Sequence, residues 1–276
     1  MSISANRNPT GNRVSRIAEA FKNLRAERRR GFIPFITAGD PDLEATRGLI
    51  VELARAGATL IELGVPFSDP VADGPVIQRA SERALRNTVG LPDVLAVLAD
   101  ARRETDVPVI LFSYFNPMLR LGVERLATEA RRAGFDGILA TDLIPEESAE
   151  FNATLARHGL DQIYLVAPTT SDARLKMIAE RASGFVYAVS RAGVTGARED
   201  VSAEAERLVA RFRTVSELPV AVGFGISTRE QVADVWRYAD AVVVGSAIVA
   251  EIEKHAGSPD LVSRVGEFAR SLLPSR

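Results

Sequence analysis

The chain of 276 residues contains no cysteine and only two histidines. Without cysteine there is no disulfide framework, no thiolate nucleophile and no Cys-ligated metal. His158 and His255 show no HxxxH or HxH spacing, so neither reads as a metal ligand. Ser68, Ser113 and Ser190 have no plausible histidine partner, which disfavours a serine hydrolase. A charge of one sign is also missing: 34 Lys and Arg stand against 36 Asp and Glu, for a formal net charge of -2. That balance argues against nucleic acid or an anionic membrane as the main partner. No apolar run approaches the ~18 residues of a membrane span. The opening MSISANRNPTGNR lacks the apolar centre of a secretory signal. A cytoplasmic protein is the expectation.

What is present is a repeating alternation of strand and helix. A helical pattern (Val14, Ile17, Ala18, Phe21, Leu24) runs from Asn12 to about Arg30, with the basic run Arg28–Arg30 at its end, where it suits the helix dipole. Residues 1–11 read as a flexible extension. Strands follow at GFIPFIT (from Gly31), LIELGV (Leu60), VPVILFSY (Val107), GILATD (Gly137), QIYLVA (Gln162), FVYAVS (Phe185), PVAVGF (Pro219) and AVVVG (Ala241). Helices are expected at 43–57, 76–87, 91–105, 123–133, 145–157, 172–182, 203–215, 228–238, 246–254 and 261–273. About eight β/α units without a composition break predict one α/β domain over 12–276. This is a closed (β/α)₈ TIM barrel with an extra N-terminal helix and short additional helices in its connections.

In such a barrel the chemistry sits on the loops that follow the strands. The polar loops fall there: TAGD, SDPVADG, SYFNP, APTT, SRAGVTG, GFGIS and GSAI. Strand alternation puts Ile33, Phe35, Thr37, Leu60, Glu62, Gly64, Phe112, Tyr114, Leu139, Thr141, Ile163, Leu165, Phe185, Tyr187 and Val189 on the inward face. Glu62 stands out, since an unpaired charge in such an interior is costly. Such a carboxyl is either satisfied by backbone donors or an arginine, or kept for chemistry. Desolvation would raise its pKa toward neutrality, whereas Asp73, in the Pro/Gly-rich turn that follows, should ionise more easily. Two carboxyls in different surroundings can divide two proton tasks. Near the C-terminus, the glycine turns of GFGIS and VGSAI follow a strand and open a helix, an arrangement suited to phosphate, with Ser246 adding a hydroxyl and Gly196 a further N–H. The RAGVTGARED loop reads as a closing lid. Asp40 reads as a helix N-cap or turn residue, Asp142 as a group orienting the rim, and Trp236 as packing.

PFITAGDPD (from Pro34), IELGVPFSDPVADGP (Ile61), SYFNP (Ser113), TDLIPEES (Thr141), VYAVSRAGVTGAR (Val186), VGFGIS (Val222) and VVGSAIV (Val243) together resemble the alpha subunits of tryptophan synthase. The resemblance runs from about Asn12 to the C-terminus. It implies retro-aldol cleavage of indole-3-glycerol phosphate to indole and glyceraldehyde 3-phosphate. By the same resemblance Glu62, Asp73 and Tyr187 are the catalytic residues. Phe35, Phe112, Tyr114, Leu139, Thr141, Leu165, Phe224 and Val243 form the indole pocket, and Gly196, Gly225, Gly245 and Ser246 hold the phosphate. Thr141 is polar where some members carry alanine. The resemblance further implies a beta-subunit partner in an alpha2beta2 complex, with pyridoxal phosphate on that partner and no cofactor or metal on this chain. Two other readings stay open: a barrel acting on another sugar phosphate, and a weakly catalytic barrel whose main role is to activate its partner.

Overall fold

The computed structural model describes residues 15–189, 198–223 and 225–274, with 198–202 described by backbone alone. In chain order the elements are α1 (Arg16–Ala26), β1 (Gly31–Thr37), α2 (Leu43–Arg55), β2 (Ile61–Gly64), α3 (Pro75–Arg86), α4 (Leu91–Ala101) and β3 (Val109–Ser113). Then come α5 (Phe115–Leu121), α6 (Val123–Ala133), β4 (Gly137–Ala140), α7 (Ala149–Arg157), β5 (Asp161–Val166), α8 (Asp172–Arg181) and β6 (Val186–Val189). The chain ends with α9 (Arg198–Arg213), β7 (Val220–Gly223), α10 (Arg229–Val235), β8 (Ala241–Val244), α11 (Ser246–His255) and α12 (Leu261–Leu272). The eight strands are parallel, each paired with its neighbours in sequence, and β8 returns to β1 with Gly31 opposite Ala241 and Ile33 opposite Val243. The sheet is therefore a closed barrel, as the strand count predicts.

Two apolar layers follow from strand alternation. Outward residues such as Ile36, Leu63, Leu111, Ile138 and Val242 pack beneath the helices. Inward residues Ile33, Leu60, Ile110, Leu139, Ile163, Phe185, Ala221, Ala241 and Val243 fill the barrel. The inner cluster also takes in Ile17, Phe21 and Leu24 of α1, with the Phe21 ring 5.8 Å from that of Phe185. The periodic face predicted for α1 is thus a stopper in the N-terminal mouth of the barrel. Ser15 caps the helix by accepting from the Ala18 N–H and donates to Asp161, while Arg16 reaches Asp136 at 2.6 Å and the Gly134 carbonyl at 2.8 Å. The expected start at Asn12, with Val14, lies outside the described residues, as does the extension 1–11.

Some local expectations hold and others are corrected. The basic run Arg28–Arg30 stands at the end of α1 as expected, with the Arg28 and Arg29 N–H groups donating to the Arg25 and Leu24 carbonyls at 3.1 and 2.8 Å and Arg30 donating to the Trp236 carbonyl at 3.2 Å. Trp236 itself donates its Nε1–H to the Gly31 carbonyl, a packed tie across the barrel closure. SYFNP begins a helix, α5, that its Asn-Pro pair hides. Asp142 explains it: its carboxylate accepts the Phe115 N–H at 2.6 Å at the start of α5. The helix expected from Pro145 opens as a 3₁₀ turn over Pro145–Glu147 before α7 begins. Of the two readings of Asp40 the turn residue holds, its N–H donating to the Thr37 carbonyl at 3.3 Å, while Asp42 caps α2 by accepting from the Ala45 N–H at 2.7 Å.

Candidate active site

β2 holds Glu62 level with Phe35 on one side and Ile110 on the other, both inward positions. Glu62 is only 1% exposed, and its Oε1 has no hydrogen-bond partner among the described residues. Among the described residues neither a backbone donor nor an arginine satisfies that oxygen. Burial alone pushes its carboxyl up to about 8. Tyr187, on β6, shows part of its surface at the barrel mouth. Its hydroxyl is pushed well above its ordinary value, first by burial and then by the Glu62 charge, which places the two groups within electrostatic reach of each other. The approach is tight: a Cβ on Gly223 would collide with the Tyr187 hydroxyl and lie 2.8 Å from the Val243 Cβ. Gly223→Ala is therefore expected to shift Tyr187 and lower kcat/KM for the reaction that the resemblance implies by about 10²-fold, with the far-UV circular dichroism unchanged. Activity within a factor of two of the parent would show that the tyrosine has room to spare.

Asp73 lies in the loop between β2 and α3, one residue before the Gly74 N-cap of α3. Tyr114, at the end of β3, donates to its Oδ2 at 3.2 Å and accepts the Ala72 N–H at 2.9 Å. The Phe67 ring stacks on Tyr114 at 5.0 Å. Together these hold the loop over the barrel mouth. Burial raises the Asp73 carboxyl to about 6, partly offset by the Tyr114 hydrogen bond. The expected order of the two acids holds, although Asp73 is itself pushed up because the loop folds inward. The Asp73 carbonyl accepts from Gln78 Nε2 at 2.9 Å in the first turn of α3.

Phe35 and Phe112 meet edge to face at 5.1 Å, and Phe112, Leu165 and Tyr187 pack on the inner cluster that includes Leu139 and Val243. This is an apolar wall with an apolar floor, fit for a flat ring. Thr141 turns its hydroxyl to the Ser113 carbonyl at 3.4 Å, so its polar group is partly engaged by backbone. Thr37 is buried and its hydroxyl has no partner among the described residues. Alternation puts Thr37 on the inward face, but nothing in the sequence marks it as a site group. Phe224 and Gly196 lie outside the described residues, as does most of the RAGVTGARED loop.

At the far side of the mouth, Gly245 precedes α11 and no side chain among the described residues caps that helix. A Cβ on Gly245 would stand 3.6 Å from Phe35 Cβ, which places this turn beside the aromatic wall. Ser246 is exposed at the first turn. Gly225 has φ +74° and open space where a side chain would be. Not every turn is available, however. The Thr228/Gln231 capping box engages the start of α10, with Gln231 Oε1 accepting the Ser227 and Thr228 N–H groups at 2.8 and 3.1 Å. Free amides for an anion are thus offered by α11 rather than by α10.

The family model for the tryptophan synthase alpha chain matches residues 21–272. The chain belongs to the tryptophan synthase alpha chain family. It is 50% identical over 259 residues to the tryptophan synthase alpha chain of Geobacter sulfurreducens, covering 94% of this chain and 98% of that one. It is 48% identical over 259 residues to that of Solibacter usitatus, covering 94% and 97%. Among solved structures, the alpha subunit from Legionella pneumophila str. Paris superposes with a TM-score of 0.87 at 39% identity, covering 94% of this chain and 97% of that one. The tryptophan synthase alpha chain is a carbon–carbon lyase of tryptophan biosynthesis that cleaves indole-3-glycerol phosphate, and the family works with a beta subunit. Among the described residues no helix is long and apolar enough to cross a membrane, and no group of three or more His, Cys, Asp or Glu is arranged to hold a metal.

Proposed function

We propose that this chain performs the retro-aldol step with Glu62 and Asp73 as its acid/base pair, residues 12–276 acting as one catalytic unit. Carbon–carbon cleavage requires a proton on the indole ring carbon that carries the glycerol chain. It also requires removal of the proton from the adjacent glycerol hydroxyl. The carboxyl of Glu62 gives its proton to the ring carbon. The resulting carboxylate takes the hydroxyl proton as the aldehyde forms, and the electron pair of the broken bond returns to the ring. One proton enters and one leaves, so Glu62 ends as it began. While the ring carbon is protonated, positive charge develops at the indole nitrogen. An ionised Asp73, steadied by Tyr114, accepts the N–H hydrogen bond and stabilises that charge.

The observation that carries this reading is the buried carboxyl of Glu62, with one oxygen unpartnered, beside an apolar wall. Phe35, Phe112, Tyr114, Leu139, Thr141, Leu165, Phe224 and Val243 would enclose the indole, with Tyr187 bordering Glu62. Gly245 and Ser246 at α11, with Gly225 and Gly196, would hold the phosphate through peptide N–H groups. Pyridoxal phosphate belongs in this reading to the beta subunit, two of which would join two of these chains in the cytoplasm. Activity requires Glu62 protonated and Asp73 ionised. The kcat/KM of indole formation by the pure chain is therefore expected to rise with pH through about 6 and fall through about 8. Repeating the measurement with a beta subunit added tests the partner. A flat profile across this range, or no indole under either condition, would overturn the assignment.

A further inference from the structure

One buried ion pair has no task in the chemistry above. Asp40, just beyond β1, is fully buried, and Arg83 of α3 forks onto its two oxygens at 2.7 and 2.9 Å. The same guanidinium donates to Glu253 of α11 at 2.7 Å, and Arg79, one turn earlier in α3, grips Glu253 through two bonds of 2.8 and 2.7 Å. Four side chains thus tie the end of β1, α3 and α11 together. Beneath them Phe35, Ala80 and Val249 form a small apolar cluster, with Val76 and Ile77 packed against it. These contacts already join the two helices. A buried ion pair adds little stability over an apolar substitute of similar volume, because desolvation offsets most of the attraction; what it fixes is geometry.

The geometry fixed here is specific. α3 starts two residues after Asp73 and holds the Asp73 carbonyl through Gln78. α11 starts at Ser246, beside the aromatic wall, where no described side chain caps its first amides. The two helices therefore form one body with a carboxylate at one start and an anion seat at the other. We propose that Arg83 and Glu253 are positioning residues that lock α3, the helix that follows Asp73, to the phosphate-binding helix α11, so that seating the phosphate of the substrate sets Asp73 over the indole nitrogen. This inference rests on the phosphate assignment made above.

Hydrogen exchange of the full chain, with glycerol 3-phosphate as the probe, separates the two ideas. In the parent chain the probe should slow exchange at 245–249 and also at 71–79. In Glu253→Ala, which leaves the buried Asp40–Arg83 pair intact, protection at 245–249 should remain and protection at 71–79 should vanish. Indole formation should fall about three- to tenfold, mainly in kcat. Arg79→Ala keeps the Arg83–Glu253 contact and should retain the coupled protection. Persistence of protection at 71–79 in Glu253→Ala, with activity within about twofold of the parent, would reduce the network to a structural tie and overturn the proposal. Protection confined to 245–249 in the parent would also overturn it while leaving the phosphate assignment standing. Protection of neither segment in the parent would remove both.

Discussion

Glu62→Gln is expected to abolish indole release, lowering kcat by at least about 10³-fold, because an amide neither gives up a proton to carbon nor takes one from a hydroxyl. The same variant should be more stable than its parent near neutral pH. In the unfolded chain this carboxyl ionises near 4.5, and in the folded barrel near 8. Between those values the folded state holds the extra proton, so stability falls as pH rises from 4.5 and the loss is complete above 8. Glutamine removes that dependence, and the gain at pH 7 should be on the order of 3 kcal/mol. Thermal unfolding of both proteins at pH 5, 7 and 8.5 would show the melting curves diverging as pH rises. An active Glu62→Gln enzyme would mean that this residue is not the proton carrier, and one less stable at pH 8.5 than its parent would mean that it is not a strained buried acid.

Asp73→Asn should cost less. The asparagine oxygen still accepts from Tyr114 and from an indole N–H, so position survives while the charge is lost. A fall in kcat of about 10²-fold is expected, the scale seen when one transition-state hydrogen bond loses its charge assistance. The acidic limb near pH 6 should disappear and the alkaline limb near 8 should stay. Single-turnover indole release across pH 5 to 9 measures both. Parent-like rates would remove Asp73 from the mechanism, and loss of the alkaline limb would reverse the two assignments.

Much of this was legible from residue order. The alternation of β-branched runs with amphipathic segments specifies the barrel because each strand must bury both faces. Strand parity alone aims Glu62 inward, and of the two glycine turns, GFGIS and VGSAI, the second opens a helix whose first amides no described side chain caps. What escaped is long-range or side-chain specific. Asp40 and Arg83 are forty-three positions apart and meet only once α3 folds over β1. The hydroxyl of Tyr114 reaches Asp73 across an intervening loop, which no periodic pattern records. The helix α5 is hidden because its first amide is capped by Asp142, twenty-seven residues downstream. The engagement of the α10 start by Gln231 likewise depends on one rotamer.

The place of α1 has a consequence for synthesis. Ile17, Phe21 and Leu24 leave the ribosome more than two hundred residues before Ala241 and Val243, which belong to the socket that receives them. Until β8 is made this greasy helix has no finished ring to enter. It must wait as an open, sticky amphipathic segment while the staves of the cask are laid one by one. Closing the cask and seating its bung are therefore one late event, and a nascent chain halted before β8 would still display that unsheltered face to chaperones and to its neighbours.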